Sequence, residues 1–217
     1  MKKSIKRVAV LGSGIMGSRI ACHFANIGVE VLLLDIIPKA PNEKETKKGL
    51  SIESKEVRNR IVNDALNSTM RAKPSPIYDK AFVNRITTGN FDDDLPKIEK
   101  FDWVIEVIVE NLEIKQGLYE KVEKYRKPGT LVTSNTSGIP IHLMSDNRSQ
   151  DFQECFAGTH FFNPPRYLRL FEIIPGPKTK PEVIDFLMNY GDRFLGKETV
   201  LCKDTPAFIA NRVGVYA

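Results

Sequence analysis

With 217 residues, 41% of them hydrophobic, the chain can bury a substantial core, which excludes a disordered polypeptide and suits one α/β domain or one domain plus a fragment. The formal net charge of +5 comes from scattered lysines and arginines without the stripe or motif of a nucleic-acid binder, so no nucleic-acid partner is expected. Cys22, Cys155 and Cys202 offer neither a disulfide framework nor a metal-ligand spacing, and no stretch approaches the roughly 20 apolar residues that span a bilayer. A cytoplasmic protein with no metal and no membrane partner is expected.

Lys2 to Arg7 and the apolar run behind them imitate a signal peptide, but glycines break the run and no small-residue cleavage site follows. Val8 to Leu11 reads instead as a buried strand. Gly12-Ser13-Gly14-Ile15-Met16-Gly17 follows directly and opens a helix with Met16, Ile20, Phe24 and Ile27 on one face, ended by Gly28. A G-x-G-x-x-G pattern between strand and helix is the setting of a dinucleotide loop. Gly12 permits the tight turn, Gly14 lets backbone approach a pyrophosphate, and Gly17 lets helix pack against strand, while the helix N-terminus at Ile15 and Met16 offers free N–H groups. The second strand, Val31 to Leu34, ends at Asp35, where an acid accepts both hydroxyls of an adenosine ribose and repels a 2′-phosphate. NAD is therefore expected over NADP. Pro38 to Ser54 reads as a long charged loop and Val57 to Met70 as an amphipathic helix that stops before Pro74, so residues 36–80 form an insertion.

Trp103 to Val109 reads as a further strand, followed by Glu110-Asn111 and, one turn into a helix bearing Leu118, Val122 and Tyr125, by Lys115. Leu131 to Thr133 is the next strand, followed by Ser134-Asn135-Thr136-Ser137. Ligands of a doubly wound sheet lie outside the carboxyl ends of its strands, so these residues are candidates, although capping and turn chemistry explain Ser137 and its neighbours equally well. Cys155 to Phe162 and Leu168 to Ile174 read as two strands about a turn at Asn163-Pro164-Pro165-Arg166. Pairing that pivots on Arg166 sets His160 directly opposite Glu172, with Cβ atoms about 5 Å apart. A carboxylate there holds one imidazole nitrogen and leaves the other to take a proton, the wiring of a general base. A histidine in an apolar strand pair is more often a satisfied core residue. The neighbouring cofactor loop favours the catalytic reading. Pro181 to Phe194 reads as helix, Glu198 to Cys202 as strand, and Thr205-Pro206 as the start of a last helix that carries Asn211. The chain stops about two turns into it, the expectation being truncation before a further domain.

These blocks together resemble the L-3-hydroxyacyl-CoA dehydrogenase family from Val8 to the last residue: the loop ending Met16-Gly17, Val109-Glu110-Asn111-Leu112 with Lys115, Ser134-Asn135-Thr136-Ser137, Gly158 to Pro164 with Glu172, and Lys203-Asp204-Thr205-Pro206 with Asn211-Arg212. The insertion after Asp35, Gly138, Arg166-Tyr167-Leu168 and Asn211-Arg212-Val213-Gly214 look most like the bacterial form fused to an enoyl-CoA hydratase module. The resemblance implies a doubly wound, mostly parallel Rossmann sheet with an antiparallel C-terminal extension over residues 1–204, and the start of a helical, dimer-forming domain at 205–217. It implies NAD-dependent oxidation of an L-3-hydroxyacyl-CoA substrate in fatty-acid β-oxidation, with His160 as base, Glu172 orienting it, Ser137 and Asn211 on the substrate oxygens, and Glu110, Lys115, Ser137 and Asn163 beside the nicotinamide. The full-length protein is expected to be oligomeric. The alternatives are an NAD-binding unit without turnover in this shortened form and a dehydrogenase of smaller hydroxy acids such as 3-hydroxybutyryl-CoA.

Overall fold

A computed structural model describes residues 4–216. Strands β1 (Arg7–Leu11), β2 (Glu30–Asp35), β3 (Ile86–Asn90), β4 (Trp103–Glu106), β5 (Leu131–Ser134), β6 (Phe156–Phe161), β7 (Leu170–Pro175) and β8 (Glu198–Leu201) form one sheet in the order β3-β2-β1-β4-β5-β6-β7-β8. Every neighbouring pair is parallel except β6 with β7. The helices are α1 (Ile15–Asn26), α2 (Glu43–Lys47), α3 (Lys55–Arg58), α4 (Arg60–Met70), α5 (Phe91–Asp94), α6 (Leu112–Tyr125), α7 (Ile141–Ser145), α8 (Gln150–Glu154), α9 (Pro181–Arg193) and α10 (Ala210–Tyr216).

The central strands β1, β2 and β4 are apolar on both faces because both are covered. Val8, Val10, Val31, Leu33, Trp103 and Ile105 meet α1, α4 and α9, while Ala9, Leu11, Leu32, Leu34 and Val104 meet α6, α7 and α8. The one indole of the chain is sealed in this core and donates to Thr133 Oγ1 at 2.9 Å, which also accepts from Thr159 Oγ1 at 2.8 Å. The reversal at β7 positions the candidate catalytic pair, because it returns a strand directly across from the end of β6.

Several elements differ from the sequence expectation. The strand predicted to reach Val109 ends at Glu106, whose side chain turns the backbone out of the sheet by accepting from Ile108 N at 2.8 Å. The predicted loop from Pro38 to Ser54 contains α2, started by a capping box in which Asn42 and Glu45 exchange hydrogen bonds. The single helix expected from Val57 is broken at Asn59, a buried residue whose Oδ1 accepts from Asn90 Nδ2 at 2.8 Å. Strand β3, not anticipated, forms the edge beside β2. Thr205-Pro206 does not open a helix: Ala207 (φ 62°) and Phe208 (φ 46°) take the left-handed conformation, and α10 begins at Ala210. Phe208 is drawn there by burial in the core, at 2% exposure. The three cysteines are buried and no disulfide joins them, and among the described residues no helix is long and apolar enough to cross a membrane.

His23, buried on α1, accounts for one pH effect. Its Nε2 meets Leu195 O at 3.1 Å, and its Nδ1 faces no partner among the described residues. Burial first, and then the Lys197 cation, push its pKa down from 6.5 to about 4. Between those values the unfolded chain binds a proton that the folded chain refuses, so stability falls as pH drops through that window and levels off below it. The loss attributable to this group should reach about 3 kcal/mol. Urea unfolding of the wild type and His23→Gln at pH 7 and pH 4.5 measures it; equal pH slopes in the two proteins would refute the assignment.

Candidate cofactor and catalytic site

The glycine loop joins β1 to α1 with each glycine serving a different contact. Gly12 has φ +108°, and a Cβ there would lie 2.6 Å from Val107 O. A Cβ on Gly17 would lie 1.9 Å from Gly12 O, so helix and turn touch through it. Beyond its own two chain neighbours, Gly14 has no atom within 4 Å of the position its Cβ would take, which leaves open space at the N-terminus of α1. The exposed Ile15 and half-buried Met16 follow it on the first turn. The loop opens into a cleft of about 600 Å³ whose other walls include Asp35, Ile36, Phe91, Ile108 and Lys121. At its rim Asp35 Oδ2 accepts from Ser13 N at 2.6 Å and Ser13 Oγ at 2.5 Å, and its Oδ1 from Ile36 N at 2.7 Å. An apolar slot beside a glycine turn and an anchored carboxylate fits an adenosine with its pyrophosphate on the helix end.

Farther along the same sheet edge, the turns after β4 and β5 meet. Glu110 accepts from Thr136 Oγ1 and, at 2.9 Å, from Ser137 N. Lys115, reaching up from α6 and only 1% exposed, stands 3.3 Å from Glu110 Oε2 and 2.6 Å from Glu106 Oε1. Burial raises the Glu110 pKa, but the Thr136 hydrogen bond and the Lys115 charge outweigh it and leave the carboxyl below its ordinary value. Asn135 Oδ1 accepts from Phe161 N at 2.8 Å and so fastens this turn to β6.

In the β6–β7 pair the register is the one that the pivot about Arg166 requires, with His160 opposite Glu172. His160 Nδ1 lies 2.8 Å from Glu172 Oε2. An ionised carboxylate only accepts, so Nδ1 carries the proton and Nε2 is left with its lone pair. Nε2 is not among the polar atoms sealed away without a partner. Glu172 itself is 1% exposed, and its Oε1 accepts from Ile209 N at 3.1 Å and Ala210 N at 2.8 Å. Burial pushes its pKa up; the His160 hydrogen bond and these amides more than reverse that, and the group ends below its ordinary value. Asn211, next on α10, donates through Nδ2 to Ser137 O at 3.0 Å. Asn163, exposed in the turn after β6, accepts from Arg19 on α1. The structure thus brings His160, Glu172, Ser137, Asn211, Glu110 and Lys115 into one connected region, with Gly12, Gly14, Gly17 and Asp35 at or beside the apolar cleft.

Residues 7–205 match the model of the 3-hydroxyacyl-CoA dehydrogenase NAD binding domain. This chain belongs to that family. It is 50% identical over its whole length to the probable 3-hydroxyacyl-CoA dehydrogenase of Bacillus subtilis, of which it covers 27%. It is 43% identical to the putative fatty acid oxidation complex trifunctional enzyme of Rickettsia felis, again over its whole length and 28% of that protein. Its fold superposes on the 3-hydroxybutyryl-CoA dehydrogenase of Escherichia coli with a TM-score of 0.73 at 30% identity, covering 98% of this chain and 41% of that one. The chain therefore spans little more than a quarter of the two relatives and less than half of the solved structure.

As a dehydrogenase-family NAD-binding domain, the chain carries features that reading the sequence missed. Ile36, Phe91 and Ile108 wall the cleft beside the glycine loop; Phe91 follows the edge strand that escaped detection, and only its position after an Ile-Thr-Thr run could have signalled it. Glu106 lay unnoticed inside an apolar run. Arg19 gave no signal beyond its place one turn past the glycine loop. The glycines also separate binding from folding experimentally. Gly14→Ala should leave the melting temperature unchanged and weaken NADH binding at least tenfold by filling the open space above the helix end, whereas Gly17→Ala should lower the melting temperature. Calorimetric titration and thermal denaturation of both variants read this; full affinity in Gly14→Ala would remove that glycine from the cofactor site.

Proposed function

We propose that this chain is the cofactor-binding part of an enzyme that oxidises L-3-hydroxyacyl-CoA to 3-ketoacyl-CoA in fatty-acid β-oxidation. The observation that carries the reading is the His160–Glu172 pair: an imidazole with one nitrogen committed to a buried carboxylate and the other left open, on the same sheet edge as a dinucleotide loop. NAD is held by Gly12, Gly14, Ile15, Met16 and Gly17 at the pyrophosphate, by Asp35 at the adenosine ribose, and by Glu110, Lys115, Ser137 and Asn163 toward the nicotinamide. Bound NAD supplies the two-electron acceptor for the carbon being oxidised.

The protein's own groups handle the proton. His160 Nε2 takes it from the substrate hydroxyl, and Glu172, ionised and 2.8 Å from Nδ1, balances the positive charge that the ring acquires. Ser137 and Asn211 hold the substrate oxygen and fix its angle to the imidazole. The Asn211 bond to Ser137 O supports this division, since it ties the two residues into one unit. Exposure of Ser137 and Asn163 in this chain favours a cleft completed by further residues. We infer that the full-length protein continues from 205–217 into a helical domain that completes the acyl-CoA site and forms an oligomer. The name of the Rickettsia relative, a putative trifunctional enzyme of a fatty acid oxidation complex, supports further catalytic modules in the full-length protein, and we take an enoyl-CoA hydratase to be one of them.

In the full-length enzyme, His160→Ala should leave NAD affinity within about twofold and lower turnover by about 10² to 10⁴, the range for loss of a general base. Unaltered turnover would remove His160 from this role. The 217-residue chain alone should bind NADH in a calorimeter yet reduce acetoacetyl-CoA far more slowly than the full-length enzyme. Equal rates would show that the substrate cleft needs nothing beyond these residues.

A further inference from the structure

Glu106, at the end of β4, is 0% exposed and accepts from four donors. Ile108 N (2.8 Å) and Lys115 Nζ (2.6 Å) reach Oε1, and Tyr119 OH and Ser134 Oγ, both at 2.6 Å, reach Oε2. Burial first, and then the Glu106 charge, hold the Tyr119 phenol well above its ordinary pKa, so it remains a donor. Lys115 is sealed between this carboxylate and that of Glu110, 3.3 Å away. Two carboxylates share one ammonium, and the cluster carries one negative charge in excess. Stability does not explain it, because a buried ion pair is commonly matched or bettered by well-packed apolar side chains.

A reason emerges from the charge of the ligand, and it rests on the proposed placement of Glu110 and Ser137 beside the nicotinamide. The oxidised nicotinamide ring is a cation and the reduced ring is neutral. A lysine that holds Glu110 in place would, by itself, cancel the carboxylate facing the ring. We propose that Glu106 is a specificity-determining residue that neutralises Lys115, so that Glu110 is held in position and still presents a net negative charge that favours NAD⁺ over NADH. Its hydrogen bonds from Tyr119 and Ser134 take the place of solvent at the buried carboxylate.

The test is the ratio of two affinities, independent of turnover. NADH binding is followed by its fluorescence and NAD⁺ by displacement of NADH, for the wild-type chain, Glu106→Gln, and Glu106→Gln/Lys115→Met. Glu106→Gln removes one negative charge in nearly the same shape and should weaken NAD⁺ on the order of tenfold while changing NADH less than about threefold. The double variant restores the net charge and should return the ratio to the wild-type value. An unchanged ratio in Glu106→Gln overturns the proposal, as does a double variant whose ratio stays shifted; if the single variant fails to fold, Lys115→Met alone, which adds one net negative charge, should shift the ratio further toward NAD⁺, and an unchanged ratio there overturns the proposal. Wild-type chain that binds neither nucleotide would instead overturn the cofactor assignment on which the proposal rests.

Discussion

A carboxylate sealed from water has to be matched by donors, and in this fold the requirement falls on Glu172. Removing one partner from a buried charge costs about 3–5 kcal/mol, a large share of a domain's net stability. Glu172 meets it with His160 on one oxygen and two backbone amides on the other. The imidazole comes from β6, the carboxylate from β7, and the amides from the segment that leaves β8. Three separate stretches of chain are thereby fixed to one another at the carboxyl end of β6. The reversal of β7 makes this possible, since an antiparallel neighbour places the two side chains directly opposite on one face of the sheet.

A second buried glutamate has a similar role nearer the middle of the sheet. Glu106 holds Lys115, Tyr119 and Ser134, which come from α6 and the end of β5, and Lys115 in turn holds Glu110. The turns after β4 and β5 are therefore set by charge and not by turn chemistry alone. Around Ser137 the turn chemistry that the sequence allows is carried by its neighbours, Ser134 Oγ accepting from Thr136 N and Thr136 Oγ1 from Gly138 N and Ile139 N, while the Ser137 amide goes to Glu110 and its carbonyl to Asn211. Neither contact is a helix cap. Both lead from the sheet edge toward the adjoining segments.

The parts of this arrangement that were legible in the sequence are those with short-range signatures. The β1–loop–α1 unit announces itself because three glycines spaced in this way beside an apolar run satisfy the turn, the phosphate approach and the helix packing at once. The His160–Glu172 pairing comes from strand alternation once the pivot is set at Arg166. Glu106 was illegible because the residues that make its burial tolerable lie 9, 13 and 28 positions away, and a glutamate among Val104, Ile105 and Val107 looks locally like an interruption. Strand β3 was illegible for the opposite reason: Ile-Thr-Thr-Gly-Asn is short and polar, and becomes a strand by lying beside β2. Nothing in Ala207-Phe208 signals a left-handed turn, because neither residue is one that favours it.

That turn is the point at which strain and chemistry meet. A non-glycine residue in the left-handed region costs about 1–2 kcal/mol, and here two stand in succession. What offsets the cost is visible at both ends of the segment. Phe208 is buried at 2% exposure, with its ring 6.1 Å from that of His160, and the amides of Ile209 and Ala210, which come after the turn, point at Glu172 Oε1. Hydrogen bonds to a charged group contribute about 1.5–3 kcal/mol each, enough to hold the turn in this conformation. A helix begun at Thr205 would commit the same amides to carbonyls of its own first turns and leave Glu172 one oxygen short. The segment after β8 is thus shaped by the carboxylate it caps, and the orientation of His160 depends on it as directly as on the sheet.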